Sequence, residues 1–125
     1  MIKFTIPIKP RTKKNHSNIV TLKTGRMLLL PSKQYREFER AVCAFIASSK
    51  PISSPINMAC NLKCIFYKDR DYKSDLMGYL QAISDALVKS GVFSDDNSNI
   101  ICSTDGSRVL LDRDNPRIEV EISFL

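Results

Sequence analysis

The residues best equipped for chemistry lie between Asp69 and Asn97, in the run DRDYKSDLMGYLQAISDALVKSGVFSDDN, which holds six aspartates. Carboxylates brought to one place repel one another unless a cation sits among them, and a hard divalent metal is the usual occupant. Ser74 is a good N-cap, Leu76, Leu80, Ile83 and Leu87 recur at helical intervals, and Gly91 supplies a stop. A helix over Asp75–Ser90 would be about 24 Å long at about 1.5 Å per residue. The chain then turns through Val92-Phe93 to Asp95-Asp96, and five extended residues cover about 17 Å. Folded back along the helix, Asp95 and Asp96 are expected near the level of Asp75. Asp85 lies about 15 Å up the axis and off that face, so it is not expected to join them. Asp69 and Asp71 fall in the loop before the cap. A second reading stays open: Asp75 as first-turn charge favoured by the helix dipole, and Asp95-Asp96-Asn97 as a turn.

The elements that would position these acids can be read from periodicity. Lys3–Ile8 alternates as a strand, with Pro7 favouring an edge. Lys9–Ser17 is a loop carrying Lys9, Arg11, Lys13 and Lys14, cations suited to DNA phosphates or simply solvated. Asn18–Leu22 and Arg26–Leu30 flank Lys23-Thr24-Gly25 as a hairpin. Leu28-Leu29-Leu30 is a local apolar surplus suited to a packing or subunit interface. Ser32 can cap a helix through about Ser48, with Tyr35, Phe38, Val42, Phe45 and Ile46 as its apolar stripe. Ile56–Lys68 reads as the longest strand and delivers the chain into the aspartate segment. Ser98–Thr104 and Ser107–Leu111 read as a hairpin around Asp105-Gly106, and Arg117–Phe124 as a last strand with Ile118, Val120, Ile122 and Phe124 inward. Strands that outnumber two amphipathic helices predict an α+β fold: a single mixed β-sheet with two main helices packed on it.

The length of 125 residues suits one domain, 1–125, able to bury a core without disulfides. Hydrophobic content of 43% and charged content of 26% are ordinary for a globular chain. No apolar run approaches the roughly 20 residues of a membrane span, and the opening Met1-Ile2-Lys3 does not read as a signal peptide, so a cytoplasmic protein is expected. Cys43, Cys60, Cys64 and Cys102 form no C-x-x-C pair and read as small buried hydrophobes; His16 alone cannot build a histidine metal site. Charge is unevenly spread. Residues 1–50 hold eleven Lys/Arg against Glu37 and Glu39, whereas residues 51–125 hold eight against eleven acids. A basic half joined to an acidic half suits a polyanion gripped by one part and cut by the other.

The ordered set of Asp69-Arg70, Ser74-Asp75-Leu76, Asp85-Ala86-Leu87, Asp95-Asp96-Asn97, Asp105-Gly106-Ser107-Arg108 and Asn115-Pro116-Arg117 resembles the RusA family of Holliday junction resolvases, common in prophages. Ile6-Pro7, Lys9-Pro10 and Pro31-Ser32-Lys33 with Tyr35 fit the same pattern. The resemblance implies a homodimeric endonuclease, dependent on Mg²⁺ or Mn²⁺, that nicks opposing strands of four-way DNA junctions in recombination and repair. It implies that Asp75 and Asp96, with Asp95 beside it, are the catalytic and metal-binding acids, with Asp85 or Asp71 as a support or substitute ligand. Lys73 borders the cluster and is placed with the DNA contacts. The family pattern D-L-D-N at the helix start, with a lysine one turn on, is here Asp75-Leu76-Met77-Gly78 with Gln81 at the lysine position. Two other readings stand beside an active resolvase: a catalytically impaired junction-binding protein, and an interaction module whose acids only cap and turn.

Overall fold

The structure is a computed structural model that describes residues 1–13, 18–30 and 32–125, with side chains omitted at 18–20 and 28–30. Lys14 and His16 fall outside the described residues, and the side chains of Leu28-Leu29-Leu30 do too.

The described elements are β1 (Ile2–Ile6), β2 (Asn18–Thr21), β3 (Met27–Leu30), α1 (Lys33–Ser49), β4 (Cys60–Lys68), α2 (Leu76–Lys89), β5 (Ile101–Ser103), β6 (Arg108–Leu111) and β7 (Arg117–Phe124). The main sheet runs β1-β7-β4, with β5 and β6 both on the far side of β4. β7 pairs antiparallel with β1 and with β4, whereas β5 and β6 lie parallel to β4. β2 and β3 form a separate hairpin, turned by Gly25 at φ 84°. The fold is therefore α+β with one mixed sheet, as the patterning predicts, and β1 takes the edge that Pro7 suggests.

Alternation in β4 and β7 explains the layering. Cys60, Leu62, Cys64 and Phe66 from β4 join Ile118, Val120 and Ile122 from β7 on one buried face. Both helices cover that face, α1 through Tyr35, Phe38, Val42 and Ile46, and α2 through Tyr79, Leu80, Ala82, Ile83, Ala86 and Leu87. Tyr79 stacks on Phe66 with ring centroids 5.2 Å apart, which ties the first turns of α2 to the centre of the sheet. The other face of the sheet is polar: Glu121 bridges Lys3 and Lys63, and Arg117 lies 3.7 Å from the ring of Tyr67 while bonding Glu119.

Several boundaries move, each for a local reason. The cap of α2 is Asp75 rather than Ser74, because the Asp75 carboxylate accepts the N–H of Met77. Gly91 does end the helix: its φ is 88° and the Val92 N–H returns to the Leu87 carbonyl. β4 begins at Cys60, and Ile56 instead makes an isolated bridge to Phe93. The expected hairpin around Asp105-Gly106 is not one. β5 and β6 run the same way along β4, because Asn61 captures the intervening bend: its Oδ1 accepts from Ser103 Oγ at 2.6 Å and from the Asp105 N–H at 2.8 Å. Cys102 and Phe124 are exposed rather than buried, since each lies at the margin of the sheet.

Candidate functional site

Helix α2 presents Asp75, Gly78, Ala82 and Asp85 along one side, at helical spacings of three and four. Residues 9–13 cross this side as a strap. Lys9 Nζ bridges Asp69 at 3.1 Å at the head of the helix. Thr12 Cγ2 lies 3.2 Å from where a Cβ on Gly78 would stand, so the glycine makes room for the strap. Lys13 Nζ then reaches Asp85 Oδ2 at 2.6 Å. The strap lies close because residue 78 has no side chain and because an ion pair holds it on either side.

At the far end of the strap, Asp85 also meets Asp96. The carboxyl of Asp96 is held above its ordinary range, first by loss of surrounding water, then by a hydrogen bond and charge from Asp85. Two carboxylates that share a site disfavour ionisation of one another. Asp95 lies against Asp96 as well, and its own hydrogen bonds run along the turn. It accepts the Asp96 N–H at 2.7 Å and the Asn97 side chain at 3.0 Å, and these bonds hold its carboxyl below the ordinary range.

Asp96 stands close to Asp85, which was not expected to join, and Asp75, ten residues before Asp85, caps the same helix. Among the described residues, no group of three or more His, Cys, Asp or Glu side chains is gathered where a metal ion could be held by protein groups alone. After Gly91 the Val92 and Phe93 amides bond back to Leu87, and the Ser94 N–H bonds the Ile56 carbonyl, which fixes where the Asp95-Asp96 turn begins. Asp71 is exposed in the loop before α2 and lines a shallow groove with Lys68, Tyr72 and Lys73.

Beside Asp75 lies a cavity of about 590 Å³. Its cations come from two separate segments: Lys9 and Arg11 from the strap, Arg70 and Lys73 from the loop before α2. Gln34, Tyr72 and Tyr79 complete the lining, with the two tyrosine hydroxyls 3.3 Å apart. Lys9, Arg11 and Lys73 were expected as phosphate contacts, and the structure sets them around one opening. Arg70, Tyr72 and Gln34 were not expected. Arg70 and Tyr72 belong to the same DRDYK run, whose cations alternate with its acids; Gln34 leaves no mark in the sequence. Lys13 points away from this opening and onto Asp85.

Fold and site together define a class: an α+β protein with a cation-lined opening and acids along one helix, chemistry suited to a phosphate polymer. The sequence pattern of the family described as Endodeoxyribonuclease RusA matches residues 7–123, and the chain belongs to that family. No curated protein matches the chain. No described helix is long and apolar enough to cross a membrane.

Proposed function

We propose that this protein is a divalent-metal-dependent endodeoxyribonuclease that nicks four-way DNA junctions in recombination and repair. Membership of the RusA family over residues 7–123 carries the proposal. The cation-lined opening beside Asp75 supports it, since four positive side chains at one mouth suit a DNA backbone.

The donor chemistry fits Mg²⁺ or Mn²⁺. Loss of water and then the nearness of Asp85 raise the pKa of Asp96, which sets the two carboxylates close together, and Mg²⁺ is usually held by one or two carboxylates together with substrate phosphates. Asp96 and Asp85 would hold the ion, with Asp75 the catalytic acid on the same side of α2 and Asp95 supporting Asp96 through its N–H. When bound, such an ion neutralises phosphate charge and lowers the pKa of an attacking water. The chain's own groups do the rest. Arg11, Arg70 and Lys73 fix the backbone at the opening, and Asp75 lines that same opening. Cutting two opposed strands of a two-fold junction calls for two symmetric sites, hence a homodimer.

Expected outcomes follow. Synthetic four-way DNA is nicked only with added Mg²⁺ or Mn²⁺, and Asp75→Asn and Asp96→Asn each lower the rate by about a hundredfold or more, as loss of a group acting in the transition state does. No nicking under any divalent ion, with tight junction binding retained, would instead support the second reading, a junction-binding protein without nuclease activity. Met77 and Gly78 favour that reading: where the resemblance expects a carboxylate and an amide, the chain has an exposed thioether and no side chain at all.

A further inference from the structure

Lys13 is the one cation of the strap held by an acid on α2 and by a ring on α1. Its ammonium lies 2.6 Å from Asp85 Oδ2 and 5.1 Å from the centroid of the Tyr35 ring. The ring is itself fixed: the Tyr35 hydroxyl donates to Glu39 at 3.0 Å, and Glu39 also takes Lys89 of α2 at 2.7 Å. The ammonium therefore has a prepared seat, built from both helices, in front of an acid that also meets Asp96. The acids of this corner, Asp85 and Asp96, outnumber the one ammonium set against them, and Gln81, on the solvent side of the same helix, adds no charge.

We propose that Lys13 is the resident counter-ion of the Asp85–Asp96 pair, and that its ammonium and a divalent cation exclude one another there. Metal loading then releases residues 9–13 from α2. This rests on the metal-dependent reading given above and extends it to the strap. Mg²⁺ needs carboxylate oxygens at about 2.0–2.1 Å in near-octahedral array. An ammonium hydrogen-bonded to Asp85 Oδ2 fills the space in front of that oxygen, and its charge repels a second cation at contact distance. Lysine suits the exchange, because a hydrated ammonium on a four-carbon stem swings out readily. Once out, Lys13 stands with Lys9 and Arg11 as a third cation of one short strap turned toward DNA. Ion binding and DNA grip are then coupled through a single side chain.

The test is Mn²⁺ titration calorimetry on the whole protein, comparing the parent with Lys13→Met and Lys13→Arg. Methionine keeps the apolar stem against Tyr35 and removes the charge; arginine keeps the charge. Lys13→Met should bind Mn²⁺ about three- to tenfold more tightly, the range expected when a partly exposed competing ion pair is removed. Lys13→Arg should stay near the parent. Amide exchange supplies a second readout: residues 9–13 of the parent should exchange faster with Mn²⁺ than without it. This readout also decides the matter should Lys13→Met fail to fold. Unchanged or weaker Mn²⁺ binding by Lys13→Met, or slower strap exchange with Mn²⁺, overturns the proposal. If the parent nicks junctions with Mn²⁺ while either result holds, only the exchange fails and the nuclease reading stands. If neither form binds Mn²⁺, both fall together.

Discussion

The physical weight of this structure rests on single side chains that link distant parts of the chain. Gly78 is one: any side chain there would press on Thr12, so its absence lets the strap lie on α2. Arg117 is another, bonding Asp112 at 2.8 Å and Glu119 at 3.0 Å while stacking over Tyr67. The Arg117 guanidinium holds the Asp112 carboxyl below its ordinary range. A depressed carboxylate pKa adds stability above the unfolded value of about 3.9 and loses it as pH falls through the lower folded value. The thermal midpoint of Asp112→Asn should therefore lie below that of the parent near neutral pH, and the gap should close as pH falls below about 4. Melts at pH 7 and pH 2.5 check this; a gap that persists in acid would mean that Asp112 acts by packing. Residue types marked Lys9, Arg11, Lys13, Lys14 and Lys73 as contacts for DNA. They did not announce Lys13 as a partner of Asp85, because a loop lysine carries no mark of the acid it will meet.

At the level of elements, α1, α2, β4 and β7 were legible because their apolar residues repeat at 3.6 or 2 over a long run. What failed were the short pieces, where one tertiary contact outweighs local preference. Asp105-Gly106 reads as a hairpin turn, and Gly106 does take a positive φ of 87°. The turn is nevertheless captured by Asn61, and Ser107 Oγ accepts the Cys64 N–H at 3.0 Å, so β6 resumes beside β4 in the direction of β5. The approach of Asp96 to Asp85 also depends on tertiary contacts, since Val92 and Phe93 are drawn into the core and carry Asp95-Asp96 with them. Asn61→Ala should lower stability by about 0.5–1.5 kcal/mol, because it removes the hydrogen bonds that hold the Asp105 N–H and carbonyl. Urea unfolding gives the magnitude. Hydrogen exchange should show the loss concentrated in residues 103–111; a loss spread evenly over the sheet would show that Asn61 merely packs.

Across the molecule, the basic first half and the acidic second half are interleaved rather than separate. β1 lies against β7, and the strap lies over α2. Some of the basic charge is therefore spent internally, Lys9 on Asp69 and Lys13 on Asp85. Arg11, Arg70 and Lys73 line the same opening and make no ion pair among the described residues. These two groups should behave differently toward DNA. A cation free before binding releases a full counterion's worth when it meets a phosphate, so its loss lowers the slope of log K against log salt by about 0.9 per engaged subunit. A cation already bridged to an aspartate must first give up that partner, so its removal changes the slope by less. Junction binding measured from low to moderate salt without divalent ions should show the full decrement for Arg11→Ala and Lys73→Ala, and a clearly smaller one for Lys9→Ala. Equal decrements at all three positions would mean that DNA breaks the Lys9–Asp69 bridge at no net cost, and a larger one for Lys9 would place the main phosphate track at the head of the strap.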